Sequence, residues 1–247
     1  MHTPDLLILL ALVAGAAASA HWKKLTPAAA LTGAIIGALV YAGASYTGLL
    51  LLALFFALGT AATSWKKNEK RGIKGNAAHQ PTRNTGQVLA NGGVAAILGA
   101  LAALIPADKP LLGLLLAASL SSATADTLSS ELGMIYGRRH FNILTGKPDT
   151  RGLDGVISLE GLLIGIAGSA VIAAAWLLLN STTASAGVTN STASAGIILL
   201  AGLIGNLADS LLGATLERKG ALSNDAVNFL NTAIAALAAG ALTGFKG

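Results

Sequence analysis

The chain of 247 residues has no cysteine, 4% aromatic residues and 11% charged residues. The first absence excludes disulfides, thiolate metal sites and cysteine nucleophiles, and leaves the redox compartment undetermined. The second leaves an interior of Ala, Gly and Leu, in which small residues let helices approach closely. The third falls far below the roughly 25% of charged residues typical of a soluble domain, and excludes an ordinary water-facing surface. Catalytic signatures are missing as well. There is no G-x-x-x-x-G-K-[ST] phosphate loop, no G-x-G-x-x-G ahead of the basic segments and no G-x-S-x-G elbow, and His2, His21, His79 and His140 show no metal-ligand spacing.

What is present is a succession of long apolar runs, with a mean hydropathy of +0.68. A membrane span needs about 20 mostly apolar residues. Without water in the bilayer core, its backbone hydrogen bonds close within each helix. The pattern predicts an all-α polytopic membrane protein of about eight transmembrane helices, near 4–20, 27–43, 46–64, 88–105, 110–134, 156–179, 194–216 and 226–245. Alternate loops are basic: His21–Lys24, Lys66–Arg83, Arg138–Arg151 and Arg218–Lys219. Loops 43–45, 105–110 and 180–193 carry almost no basic residues, with Lys109 and Lys246 alone on that side. This asymmetry places the basic loops in the cytoplasm and both termini outside. It also accounts for a pI near 9.6 without any nucleic-acid partner. The first run ends Ala16–Ala20, like a signal-peptidase site, but no positive segment precedes it. A retained first helix with its N-terminus outside is the expectation. The polar, low-complexity stretch 180–193 reads as a flexible external loop.

Within the oily runs lie acidic residues that need a reason. Ala125-Asp126-Thr127-Leu128 and Ala208-Asp209-Ser210-Leu211 are near copies, each near the end of an apolar run. A carboxylate at a helix centre costs roughly 2.5–3.5 kcal/mol on insertion scales, and such residues mark ion or substrate sites. Helix entries Asn91-Gly92-Gly93-Val94, Asp154-Gly155-Val156 and Asn224-Asp225-Ala226-Val227 hint at repeated hairpins whose polar ends meet at one membrane face. Spacings of three, four and seven group the polar residues into five helix-face stripes. These are Arg83, Gln87, Asn91; Ser119, Ser122, Asp126, Ser129; Asp154, Ser158, Gly161, Gly165; Gly202, Asn206, Asp209, Gly213; and Asn224, Asn228, Asn231. Hydrogen-bonding glue between helices explains much of the Ser and Asn content. It does not explain Asp126 and Asp209, because an ionised buried carboxylate needs a partner. Glu131 and Glu160 lie nearer the interface.

Carboxylates, hydroxyls and amides are oxygen ligands suited to a hard cation. Mg²⁺ keeps several waters and is usually held by one or two carboxylates together with substrate phosphates. The neighbouring loops offer the complementary charge, in Lys66, Lys67, Lys70, Arg71, Lys74 and Arg83, and in Arg138, Arg139, Lys147 and Arg151. Arg83 and Arg151 each stand just ahead of a polar helix entry. Gly146-Lys147 and Gly152–Gly155 could turn backbone amides toward a phosphate.

Taken in order, a set of motifs resembles a known family. They are Gln87-Val88-Leu89-Ala90-Asn91-Gly92-Gly93, Ala125-Asp126-Thr127 with Ser130-Glu131-Leu132-Gly133, Thr145-Gly146-Lys147, Asp154–Ser158, Asp209–Leu216 and Asn224-Asp225-x-Val227-Asn228. They resemble the integral-membrane family called domain of unknown function 92, which includes transmembrane protein 19. The likeness covers residues 65–245 of a single domain 1–247, and residues 1–64 are only generically similar. One departure is 75–84, where the family pattern implies a more basic run. The family's best understood branch is the phytyl-phosphate kinase of vitamin E biosynthesis, a chloroplast and cyanobacterial activity thought to prefer CTP.

The resemblance implies an isoprenoid-phosphate kinase that moves a phosphoryl group from CTP or another nucleoside triphosphate to a prenyl monophosphate lipid. Asp126, Asp209 and Glu131 are then the candidate Mg²⁺ ligands, with Asp154 beside them in the catalytic set. Arg83, Lys147 and Arg151 are candidates to grip phosphates, and Asn91, Ser158 and Asn228 to orient ligands. The prenyl tail is expected in an apolar cleft open to lipid, and the active site on the cytoplasmic face. The alternative is a cation-coupled transporter or lipid flippase, which also uses membrane carboxylates but needs access from both sides.

Overall fold

Each apolar run folds as a helix whose start is set by a cap or a proline. In this computed structural model, which describes residues 3–73, 82–180 and 191–244, α1 is Thr3–His21 and α2 is Pro27–Ser64. The Thr26 side chain accepts a hydrogen bond from the Ala29 amide at 3.3 Å, with Pro27 in the first turn. A short helix α3, Lys67–Lys70, leads toward α4, Thr85–Leu104. There Asn84 and Gln87 form a reciprocal capping box, with bonds of 3.0 and 3.1 Å. A tight turn at Pro106–Asp108 opens α5, Lys109–Tyr136. Two short strands follow, β1 (Phe141–Asn142) and β2 (Val156–Ile157). Then come α6 (Leu159–Asn180), α7 (Ser191–Leu212), a π turn at Gly213–Glu217, and α8 (Asn224–Gly244).

Six of these helical stretches are long and apolar enough to cross a membrane, and the helix at Asp5–His21 is shorter. The expected runs 27–43 and 46–64 both fall within α2. This helix of 38 residues is interrupted at Ser45 (φ 53°, ψ −147°). A straight helix of that length would hold its ends about 57 Å apart. Instead Lys24 Nζ donates to Ser64 Oγ at 3.1 Å, so the chain folds back at Ser45 into two arms. Lys74, His79, Lys246 and residues 181–190 of the low-complexity loop lie outside the described residues.

Helix α5 is the axle of the bundle. It packs against α2, α4, α6, α7 and α8, and the large fully buried side chains Leu114, Leu116 and Leu120 lie on it. Its neighbours reach it through glycines. A Cβ at Gly133 would meet Gly161 Cα at 3.0 Å, and one at Gly168 would meet Leu128 at 2.8 Å. The same holds away from α5, where a Cβ on Gly99 of α4 would meet the Leu39 carbonyl of α2 at 2.6 Å. Without a hydrophobic drive between helices in lipid, such close backbone approach supplies the packing.

The basic segments gather at one end. The Arg83 amide donates to Lys24 O and the Thr26 amide to Arg83 O, both at 3.0 Å. Trp65 Nε1 donates to the Tyr136 hydroxyl at 2.8 Å, and Arg218 bonds the 149–154 loop. Filling the α2–α4 contact is expected to destabilise the bundle. Gly99→Val should lower stability by about 1–3 kcal/mol through overpacking, read as a fall in melting temperature in detergent. Gly196→Ala, where nothing lies within 4 Å, should leave it unchanged or raise it.

Candidate functional site

At the end where the basic segments meet, the helices part around a cavity of about 180 Å³. All five polar stripes contribute to its wall: Arg83, Gln87 and Asn91 from the start of α4, Asp126 and Ser129 from α5, Asp154 and Ser158 ahead of α6, Asn206 and Asp209 from α7, and Asn224 and Asn228 from α8. Their deeper members, Ser122 and Asn231 among them, lie beneath the floor. The helical period that makes these residues share faces also aims the faces at one point.

Asp126 and Asp209 meet at that point, with their side chains in direct contact. A relay from below orients the pair. Ser122 Oγ donates to Asn231 Oδ1 at 3.0 Å, and Asn231 Nδ2 donates to Asp209 Oδ1 at 2.8 Å. Ser122 and Asn231 are fully buried, so these bonds exchange with no water. Ser129 Oγ donates to Asn206 Oδ1 at 3.3 Å and ties α5 to α7 beside the pair. Asn228 belongs to the same shell: its Nδ2 donates to Asn224 Oδ1 at 3.1 Å, and its Oδ1 lies 3.5 Å from Asn231 Nδ2.

A flap formed by the loop between α5 and α6 borders the cavity. Phe141 pairs with Ile157 and Asn142 with Val156 in an antiparallel ladder. Gly155, with φ +69°, lies so close to Ala214 that a side chain there would strike the backbone of the π turn at Gly213–Glu217. Only glycine supplies both the left-handed φ and the clearance. Arg218 anchors the flap, with Nε donating to Asp154 O at 2.6 Å and Nη2 to Asp149 Oδ2 at 2.9 Å. The Thr150 amide first, and Arg218 after it, hold the Asp149 carboxyl below its usual range. A depressed carboxylate pKa contributes stability above the unfolded-state value and loses it as pH falls through the folded one. The Asp149 tether is therefore intact throughout neutral pH. Ser158 caps α6, its Oγ accepting from the Gly161 amide at 3.0 Å.

The candidate charged residues separate into distinct environments. Glu131 is buried and receives Lys70 Nζ at 2.7 Å; Lys70 also donates to Ala62 O at 2.7 Å. One carboxylate oxygen of Glu131 is thus committed to pinning α3 onto α5. Lys147 and Arg151 are exposed on the flap and form no part of the cavity wall. Arg83 does line it, over the Phe55 ring at 5.8 Å, in space left by Gly59. Among the described residues Arg83 makes no ion pair. Burial lowers its pKa from the ordinary arginine value, against the opposing charge of Glu131. Among the described residues, two buried atoms of side chains on this wall lack hydrogen-bond partners, Asn91 Oδ1 and His140 Nε2.

Several contributors were not singled out as site residues in the sequence. Eight residues along an α-helix would leave Glu217 about 80° round from Asp209. The π turn at Gly213–Glu217 takes up the difference and puts both on the cavity wall. Lys70 reads as one more loop lysine until α3 folds it against Glu131. His140 joins the wall from a loop with no local pattern, and Thr63 from the last turn of α2.

Among the described residues, no three His, Asp or Glu side chains converge as a full metal cage. The donors fit a different arrangement. Two carboxylates in contact, with amides behind them and no cationic side chain between them, suit an ion that takes its other ligands from water and phosphate. Asp126 and Asp209 are the residues that would hold it.

Two outcomes test this construction. Lys70→Met should destabilise the fold by about 3 kcal/mol, because it leaves Glu131 buried without its ion-pair partner, and Lys70→Met with Glu131→Met should recover most of the loss; melting in detergent reads both. Asp149→Asn should loosen the flap, raising hydrogen exchange at 152–157 with no change in the α5 core.

Comparison with known proteins places the chain. The family model described as integral membrane protein DUF92 matches residues 9–236. Protein VTE6, chloroplastic, of Arabidopsis thaliana is 31% identical over 211 residues, covering 83% of this chain and 61% of its own. The chain thus spans less than two thirds of that relative. An uncharacterized membrane protein of Methanocaldococcus jannaschii is 35% identical over 196 residues, with 79% and 75% covered. Protein PGR of Arabidopsis thaliana is 31% identical over 211 residues, with 77% and 72% covered. No solved structure matches. The chain is an integral membrane protein and belongs to the DUF92 family.

Proposed function

We propose that this protein is an isoprenoid-phosphate kinase, transferring the terminal phosphoryl group of a nucleoside triphosphate, CTP by family resemblance, to a prenyl monophosphate. The observation that carries the reading is the contact between Asp126 and Asp209 in a cavity whose wall also holds an arginine without an ion pair among the described residues. Paired anions and an arginine on one cavity wall suit a metal-bound phosphate chain better than either suits lipid. The phytyl-phosphate kinase branch of the family gives the same direction.

An oxygen of the acceptor's phosphate attacks the terminal phosphorus of the triphosphate. A new P–O bond forms, the bridging P–O bond breaks, and the nucleoside diphosphate leaves with that electron pair. The acceptor oxygen already carries charge, so no general base is needed. Phosphoryl transfer asks chiefly for positioning and charge neutralisation. Mg²⁺, when bound, would neutralise phosphate charge. Asp209 is oriented by Asn231, Asp126 is fixed by its place on the buried axle, and Arg83 would hold the acceptor phosphate. The flap glycines, Gly152 and Gly155, line the cavity where the nucleotide phosphates would lie. The positive-inside pattern supports a cytoplasmic position for this end, where nucleotide is available.

A cation-coupled carrier or flippase is the second reading, since it too uses paired carboxylates. It needs a path to the far side, and beyond the pair the bundle is filled by the fully buried Leu114, Leu116, Leu120, Ile172 and Ile198. The test is transfer from γ-labelled CTP to phytyl, geranylgeranyl or farnesyl phosphate by purified protein with Mg²⁺. Asp126→Asn and Asp209→Asn should each reduce turnover about 100-fold or more, and Lys147→Ala far less. Full activity in both aspartate variants would remove the metal assignment. No turnover by the wild type, together with proton- or sodium-driven uptake in proteoliposomes, would favour the carrier.

A further inference from the structure

A second cavity, of about 260 Å³, lies beside the first and differs from it in chemistry. Its wall is apolar, built from α1, both arms of α2 and the start of α4. Leu12, Gly15, Gly33, Leu52 and Phe56 are typical of it. The two cavities share three residues, Arg83, Gln87 and Asn91. Apart from Ser19, the polar side chains described in the apolar groove are therefore the ones that also line the cavity of the paired aspartates.

We infer that this groove holds the hydrocarbon tail of the lipid acceptor, with Arg83, Gln87 and Asn91 meeting its phosphate at the junction. The inference rests on the kinase reading for the identity of the acceptor, and adds where that acceptor lies and what selects it. Three observations commit the groove to a lipid with an anionic head. Arg83 is partly buried and makes no ion pair among the described residues, while the nearby Glu131 is engaged by Lys70. A charge so placed calls for an anion. Asn91 Oδ1 is buried without a hydrogen-bond partner among the described residues at the same junction, although its Nδ2 donates to Gln87 O at 3.0 Å. It can accept from a hydroxyl of a protonated phosphate or from bound water. Finally, the groove is hollow because of glycine: a Cβ on Gly15 would meet nothing within 4 Å, and one on Gly33 would meet only Leu25, at 3.8 Å.

The dimensions make the groove a partial ruler. From Ser19 to Ala11 along α1 it runs about 12 Å. Its volume sits below the roughly 300 Å³ at which drug-sized ligand pockets begin. It takes the head-proximal part of a prenyl chain, and a longer tail leaves between α1 and α2 into lipid. The stretch of α1 and α2 between Ala11 and Phe56, which lines the groove, then selects the acceptor.

Photolabelling of the full-length protein tests this without requiring turnover. A geranylgeranyl monophosphate analogue with a diazirine in its head-proximal isoprene unit should label peptides covering 11–19 and 49–56. Unlabelled geranylgeranyl phosphate should compete, geranylgeraniol should compete at least tenfold less well, and Arg83→Ala should remove that difference. Labelling on α6 or α7 would overturn the proposal, as would equal labelling of the groove by a diazirine phosphatidylcholine. Gly15→Leu and Gly33→Leu, at positions where an added Cβ has room, should raise KM for geranylgeranyl phosphate about tenfold and that for dimethylallyl phosphate much less. An equal effect on both acceptors would also overturn it. Groove labelling without nucleotide turnover would keep the groove and remove the kinase reading. Turnover with labelling elsewhere would do the reverse.

Discussion

Two carboxylates in contact inside a membrane bundle constrain everything around them. Asp126 and Asp209 come from different helices, so α5 and α7 must hold a fixed register at that depth. The register is enforced by hydroxyls and amides entering glycine notches. Gly202 faces the Ser121 and Ser169 hydroxyls, which bond each other at 2.9 Å, and Gly205 faces Ser122. In lipid, where apolar packing alone does not distinguish one helix rotation from another, these polar contacts specify which faces meet. The deep Ser and Asn residues thus serve as the glue they suggest in sequence, and as the frame of the site.

The helical architecture was legible because charge scarcity and apolar run length are direct consequences of a hydrocarbon solvent. The five polar stripes were legible for a related reason: most of their members sit on regular helices, where spacing fixes which residues share a face, whereas Asp154 and Ser158 reach the wall from the flap ahead of α6. They converge on one cavity at the end where the basic segments meet. Where the backbone leaves the α-helical period, the reading stopped. Glu217 reaches the cavity through a π turn, and His140 from a loop whose path is set by strand pairing. The Ser45 reversal was readable as a break between two runs, because 38 residues exceed any single span.

Charge was the least legible property. Sequence ranks Glu131, Arg83, Lys147 and Arg151 together as site candidates and leaves Lys70 among the loop lysines. The fold sorts them by burial. Lys70 and Glu131 neutralise each other in the interior, Lys147 and Arg151 are solvated on the flap, and Arg83 alone of the named cations reaches both cavities. Composition cannot make that division, because it depends on a four-residue helix, α3, and on the space that Gly59 leaves for a guanidinium.

The group that orients Asp209 is a carboxamide. Asn231 neither gains nor loses a proton, and it donates to a carboxylate and to a carboxylic acid alike. The position of the pair is thereby separated from its electrical state. The 2.8 Å bond that sets the geometry between α5 and α7 therefore depends on no proton of the amide itself being gained or lost.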